Sequence, residues 1–366
     1  RSGSAPAGPG RAMRPEAGPR PDGLGTRPET GVARGGSGRK MLSFVDPVKL
    51  TGEKRVAYVK QALLAARGDA SAVDPLLFFK LGMELGKGAF GAVRLATHVL
   101  SGQQVVFKTI EKYKIASLLR DQGVVGDMEE ACMNEARLLE RLDHPHVIAL
   151  HQTINAPKKV HLVMDYVSAG DLWTYVKFRG KLPEPEAARI FRQICLAVQH
   201  CHTHKVAHRD IKLDNVMLLE DQTVVLIDFG MAHTTGLKLR QQCGTPMYAS
   251  PEIWASIPYA GPPADVWALG VSLYLMVVGR PPFQHPNQHT MFKLISAAAY
   301  PPPDKLTGGC KGLLGVMLLA DPPKRATVKA ILAHHWLLCD ADDLSSPKRT
   351  RGHPASPKEE RRGVLG

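Results

Sequence analysis

The chain is predicted to adopt an α+β fold in two parts, a small strand-rich part followed by a larger, mainly helical one. Three observations carry that expectation. Short apolar runs from about Leu77 flank a glycine loop. Beyond Met128 the apolar spacing becomes helical. Between the helical runs lie His208, Arg209, Asp210, Lys212, Asn215 and Asp228, residue types that neutralise phosphate and hold hard cations. With 366 residues, 44% of them hydrophobic, the chain is large enough for a sizeable core.

Residues 1–50 are rich in Gly, Pro and Arg and poor in large apolar side chains, so they are expected to be a disordered basic tail. Residues 51–76 are read as a short helix and linker. Val56, Val59 and Leu63 give the helix one apolar stripe, which suits docking on the domain. Residues 77–338 form the main domain. Strands are expected over 78–85, 91–98 and 103–110, and shorter ones over 161–166 and 223–227. Residues 339–366 are expected to be a disordered basic Ser/Pro tail.

The formal net charge is +13 and the pI about 9.5. Much of the excess sits in the termini, which favours solvated tails over a nucleic-acid surface, and no nucleic-acid partner is expected. The six cysteines form no Cys-x-x-Cys pair, which suits a reducing compartment. The expected location is cytoplasmic, with a nuclear alternative from the basic segments around Ser346-Pro347 and Ser356-Pro357. The longest apolar run, residues 268–278, is too short to span a bilayer and reads as a buried helix. The sequence opens at Arg1 and is read as a candidate fragment. Its Arg-rich start has a transit-peptide reading, against which the Pro and Gly content argues.

Leu85-Gly86-Lys87-Gly88-Ala89-Phe90-Gly91-Ala92-Val93 follows the pattern G-x-G-x-x-G-x-V. Glycines let backbone amides approach phosphate oxygens. Such a pattern also opens dinucleotide-binding helices, but here Ala92 to Ala96 looks like strand. Lys108 ends the following apolar strand, a misplaced charge unless it meets phosphate or carboxylate. On the next helix Glu135 shares a face with Met128, Cys132, Leu139 and Leu142. A carboxylate on such a stripe calls for a cation, and Lys108 is the natural one.

In the stretch 206–218, Asp210 is placed to accept or orient the proton of an attacking hydroxyl. Lys212 can neutralise a transferring phosphoryl group. Asn215 and Asp228 offer oxygen ligands to magnesium. Each alone reads as an ordinary polar residue; in this order and spacing they form a strong pattern.

These motifs resemble those of a eukaryotic-type protein kinase domain over about seven-tenths of the chain. Within that family the sequence is similar to the calmodulin-dependent and AMP-activated Ser/Thr kinases. The resemblance implies a bilobal fold, with a small antiparallel-sheet N-lobe, a larger mainly helical C-lobe, and ATP and Mg2+ between them. It implies that Val93 and Val106 cover the adenine from above and Met217 from below, with Met164 beside the back pocket. Asp165, Tyr166 and Val167 would be the hinge, and Asp171 would reach the ribose or a basic substrate residue. Leu139, Leu150, His208 and Phe229 would stack between the lobes on Asp265, and Glu252 and Arg325 would pair in the C-lobe. Thr245 would bond Asp210 and Lys212. The last two, with the segment 243–248, imply a Ser/Thr acceptor; Asp171 and Asp214 lean towards basic protein substrates. A monomer is expected, and the regulator is not legible.

Three residues depart from the family pattern. Val106 stands where Ala is usual, Ser250 replaces the Ala of Ala-Pro-Glu, and Gln241 occupies the position of an activating Thr. An amide cannot carry the charge that would pair with Arg209. Phosphorylation at that position is therefore not expected to activate this chain, with Thr234 and Thr235 as alternative sites. Two rival functions remain at this level: an ATP-binding scaffold without catalysis, and a nucleic-acid binder resting on charge alone.

Overall fold

Alternating apolar residues in five short segments build one antiparallel sheet. The computed structural model describes residues 52–65, 74–121, 127–168, 170–236, 238–240 and 244–338. The tails expected at 1–50 and 339–366 lie outside the described residues, as do Gln241 and Cys243. Helix α1 (Gly52–Ala65) comes first, and its Val59 packs on Leu77 beside Tyr58, Leu63, Phe78 and Val99. The apolar stripe read from the sequence thus docks on the edge of the domain.

The strands are β1 (Phe79–Lys87), β2 (Gly91–His98), β3 (Gln104–Glu111), β4 (Leu150–Asn155) and β5 (Lys159–Asp165), in the order β1-β2-β3-β5-β4. Side chains alternate between faces along a strand. On β3 and β5 one set (Val105, Phe107 and Val163) joins Phe79, Ala96 and Ile154 in a small outer core. The other set (Ile110, Val160, Leu162 and Met164) joins the main core. Lys108 belongs to that second set, paired across the sheet with Val93 and Leu162. The pleat alone therefore turns its ammonium inward.

Two helices follow β3. Helix α2 (Lys112–Asp121) buries none of its residues. Helix α3 (Met128–Leu139) starts where the Asp127 side chain accepts from the Glu129 amide at 2.8 Å. It buries Cys132, Glu135, Ala136, Leu138 and Leu139 against the sheet. Helix α2 and strand β4 were not expected from the sequence.

The larger part is helical. It holds β6 (Gly170–Asp171), α4 (Leu172–Arg179), α5 (Glu184–Thr203), β7 (Val206–Ala207), β8 (Val216–Leu218), β9 (Val224–Leu226) and β10 (His233–Thr234). Then come α6 (Pro251–Trp254), α7 (Gly261–Val278), α8 (Gln288–Ser296), α9 (Gly308–Met317) and α10 (Val328–Leu332). Helix α7 begins seven residues before the apolar run seen in the sequence. It is long and apolar enough to cross a membrane, but it is buried along nearly its whole length, as a core helix is. Strands β8 and β9 pair as a hairpin, with β6 alongside β8. The fold is the expected bilobal one.

Candidate active site

The glycine loop is the turn between β1 and β2, closed by the Gly88 amide donating to the Gly91 carbonyl at 2.9 Å. A Cβ at Gly91 would come within 1.6 Å of the Thr109 oxygen on β3, so only glycine lets these strands meet. At Gly86 and Gly88 an added Cβ would meet nothing within 4 Å. Their backbone faces open space, as a phosphate cradle requires. Leu85 is exposed, and Phe90, Val93, Val106 and Met217 are only partly buried.

Lys108 Nζ donates to Glu135 Oε1 at 2.7 Å and to Asp228 Oδ1 at 2.6 Å. Burial draws the Lys108 ammonium down, but the two carboxylates outweigh it and hold its pKa above the ordinary lysine value. Burial likewise pushes the Asp228 carboxyl up, and Lys108 more than reverses this, leaving it below the ordinary aspartate value. Asp228 sits at φ 61°, a left-handed conformation uncommon for a residue with a side chain. The Gly230 amide donates back to the same Asp228 oxygen at 3.3 Å.

The second half of the site is the loop between β7 and β8. Asp210 Oδ2 accepts from Lys212 Nζ at 2.8 Å and from Asn215 Nδ2 at 3.0 Å. Thr245 donates to Asp210 Oδ1 through its amide at 3.1 Å and its hydroxyl at 3.2 Å. Lys212 also reaches Thr245 Oγ1 at 2.9 Å. The carboxylate is held from both sides, so its direction is fixed. The loop hangs on α7: Asp265 accepts from the amides of His208 at 2.9 Å and Arg209 at 2.8 Å. His208 packs edge-on against Phe229, ring centres 4.7 Å apart, and so ties this loop to the segment carrying Asp228.

Asn215 and Asp228 are the two oxygen donors for a metal. The Asn215 amide nitrogen is committed to Asp210, which leaves its oxygen as the ligand atom. Among the described residues, no group of three or more His, Cys, Asp or Glu could hold a metal ion. Two protein oxygens fit magnesium, which keeps waters and phosphate oxygens for the remaining positions.

Met164 is buried at the end of β5, and Val167 is partly buried. The Asp165 amide donates to the Ala149 carbonyl at 3.1 Å, which fixes the connection between the parts. Asp171 has a role that the sequence did not suggest: its carboxylate caps α4, accepting from the Thr174 amide at 2.7 Å and the Thr174 hydroxyl at 2.9 Å. Further off, Arg325 forks onto Glu252 with two bonds of 2.7 Å, both side chains buried. Sequence reasoning missed His202, whose Nε2 lies 2.8 Å from Asp265 Oδ2 beneath the loop. The polar end of α5 was the available sign.

A glycine hairpin, a Lys–Glu pair on the sheet beneath it and an aspartate clamped in the loop beyond are the arrangement that marks the protein kinase class. Comparison with known proteins agrees. The protein kinase domain family model matches residues 79–337, and the chain belongs to that family. Serine/threonine protein kinase OSK4 of Oryza sativa subsp. indica is 37% identical over 273 residues, 74% of this chain and 52% of the relative. Serine/threonine protein kinase OSK3 of the same subspecies is 38% identical over 265 residues, 72% of this chain and 51% of the relative. The chain thus spans about half the length of these curated relatives.

Proposed function

We propose that the chain is an ATP-dependent Ser/Thr protein kinase (EC 2.7.11 class) that moves the γ-phosphoryl group of Mg-ATP to a protein hydroxyl. The observation that carries this reading is the Asp210 carboxylate held by Lys212, Asn215 and Thr245. Asp210 accepts or orients the proton of the acceptor hydroxyl, and Lys212 neutralises charge on the transferring group. Lys108, kept in place by Glu135, holds the nucleotide phosphates. Asn215 and Asp228 hold magnesium, which supplies charge neutralisation at the phosphate oxygens. Residues 85–91 cover the phosphates. Val93, Val106 and Met217 enclose the base, and Met164, Asp165 and Val167 line its edge.

The similarity to serine/threonine protein kinases in rice supports the acceptor class. The same proposal takes proteins with basic residues near the acceptor as substrates and places the chain in the calmodulin-dependent and AMP-activated group. It takes the chain to act as a monomer, in the cytoplasm or nucleus, without phosphorylation at position 241. Purified protein with radiolabelled Mg-ATP and myelin basic protein tests it. The wild type should label serine or threonine, and Asp210→Asn should not. Equal labelling by both would refute the assignment.

A further inference from the structure

Arg209, next to the candidate base, is buried, at φ 64°. Its backbone amide is fixed on Asp265, but its guanidinium points elsewhere. Nε donates to the Met231 carbonyl at 2.6 Å, just past Asp228-Phe229-Gly230. Nη1 donates to the Tyr259 hydroxyl at 3.4 Å. Tyr259 is itself buried, in a cluster with Leu239, Ala249, Ile253 and Ala264. Its main chain forms a two-bond bridge with Leu239: the Leu239 amide donates to the Tyr259 carbonyl at 2.8 Å, and the Tyr259 amide donates back at 2.9 Å.

The segment carrying Tyr259 is seated tightly on the catalytic part. Two residues on, a Cβ at Gly261 would approach the Ala207 Cβ to 2.3 Å, and Ala207 precedes His208. Tyr259 therefore stands where three stretches meet: the loop of Asp210, the start of the segment after Asp228 at Met231, and its later part at Leu239. A guanidinium buried in this way needs acceptors. Two of them are neutral oxygens supplied by the fold.

We infer that Tyr259 is a positioning residue, whose hydroxyl holds Arg209 and whose backbone holds Leu239, so that the segment after Asp228 is tied to the catalytic loop by groups that need no phosphate. This deepens the proposed kinase activity and rests on it. The side chain and main chain do separate work, so they can be separated by substitution. Tyr259→Phe removes the bond to Arg209 and leaves the bridge to Leu239 and the ring packing.

The test uses phosphatase-treated full chain, wild type and Tyr259→Phe. Steady-state kinetics with a basic peptide should show kcat about tenfold lower, the loss expected for one hydrogen bond to a charged group, with KM for ATP little changed. Hydrogen exchange at the Ala232 amide, next to Met231, should be faster in the variant, while the Leu239 amide, whose bridge the variant keeps, and the amides of α7 exchange as in the wild type. Wild-type kcat in the variant overturns the inference. Should the wild type transfer no phosphate at all, the proposed function fails. Exchange then decides alone: faster exchange at the Ala232 amide upholds the tyrosine's role, and unchanged exchange overturns it.

Discussion

Lys108 and Glu135, 27 residues apart on a strand and a helix, meet at 2.7 Å. The sheet pleat directs the lysine and the helical period directs the glutamate, so two local rules produce one contact. Asp228 joins the same ammonium at 2.6 Å. The contact reports that α3 and the sheet are docked in an arrangement fit for phosphate binding.

Glu135→Gln keeps the shape and removes the charge. Lys108 then leans on Asp228 alone and is no longer centred. We expect kcat/KM to fall about 10²-fold, the scale for misplacing a catalytic group, with little loss of thermal stability. Peptide phosphorylation kinetics and a melting curve check this.

Asp210→Asn keeps an oxygen for the Thr245 amide and hydroxyl, but it turns an amide NH2 towards Lys212 and Asn215 and removes the proposed proton acceptor. The expected loss in kcat is on the order of 10³-fold, within the range for general-base catalysis. ATP binding should persist, because the lysine, the glycine loop and Asp228 are untouched. Calorimetry on the variant checks the second half.

Glu252→Gln leaves Arg325 charged and buried without its counter-ion. Removing one partner of a buried pair costs about 3–5 kcal/mol. The urea midpoint should shift down by that amount of stability, while wild-type kcat persists in the fraction that stays folded.

Stability should also depend on pH below neutrality. Burial holds the imidazoles of His144, His161, His200 and His334 below the ordinary histidine value of 6.5, with neighbouring His rings adding to this at His144, His200 and His334. As the pH falls through that value, the unfolded chain binds protons first. Stability is therefore full above about 6.5 and declines below it. His200→Gln should flatten this slope in melting curves between pH 7.5 and 5.5, a range centred on about 6.5.

Much of this was legible in the residues. Lys108 and Glu135 were legible because each sits on an element whose period was clear, and Asp210, Asn215 and Asp228, which lie outside regular strands and α-helices, were legible from their order and spacing alone. Strand β4 was not legible: in Leu150–Asn155 only Ile154 is fully buried, so the alternation is faint. Helix α2 was missed for the same reason, having no buried face. The cap that Asp171 provides to α4 depends on backbone geometry, and Asp residues serve both caps and ligands. The links from Asp265 to His202, His208 and Arg209 span 56 to 63 residues, a separation at which no sequence period operates.

The glycine hairpin, Lys108 and the loop of Asp210 are proposed to gather a nucleotide and its divalent ion. Calorimetric titration of folded protein with ATP, with and without magnesium, tests it most directly. Binding should be one-site, strengthen with magnesium and lose that strengthening in Asp228→Ala. Absence of binding heat from Mg-ATP across several temperatures would contradict it.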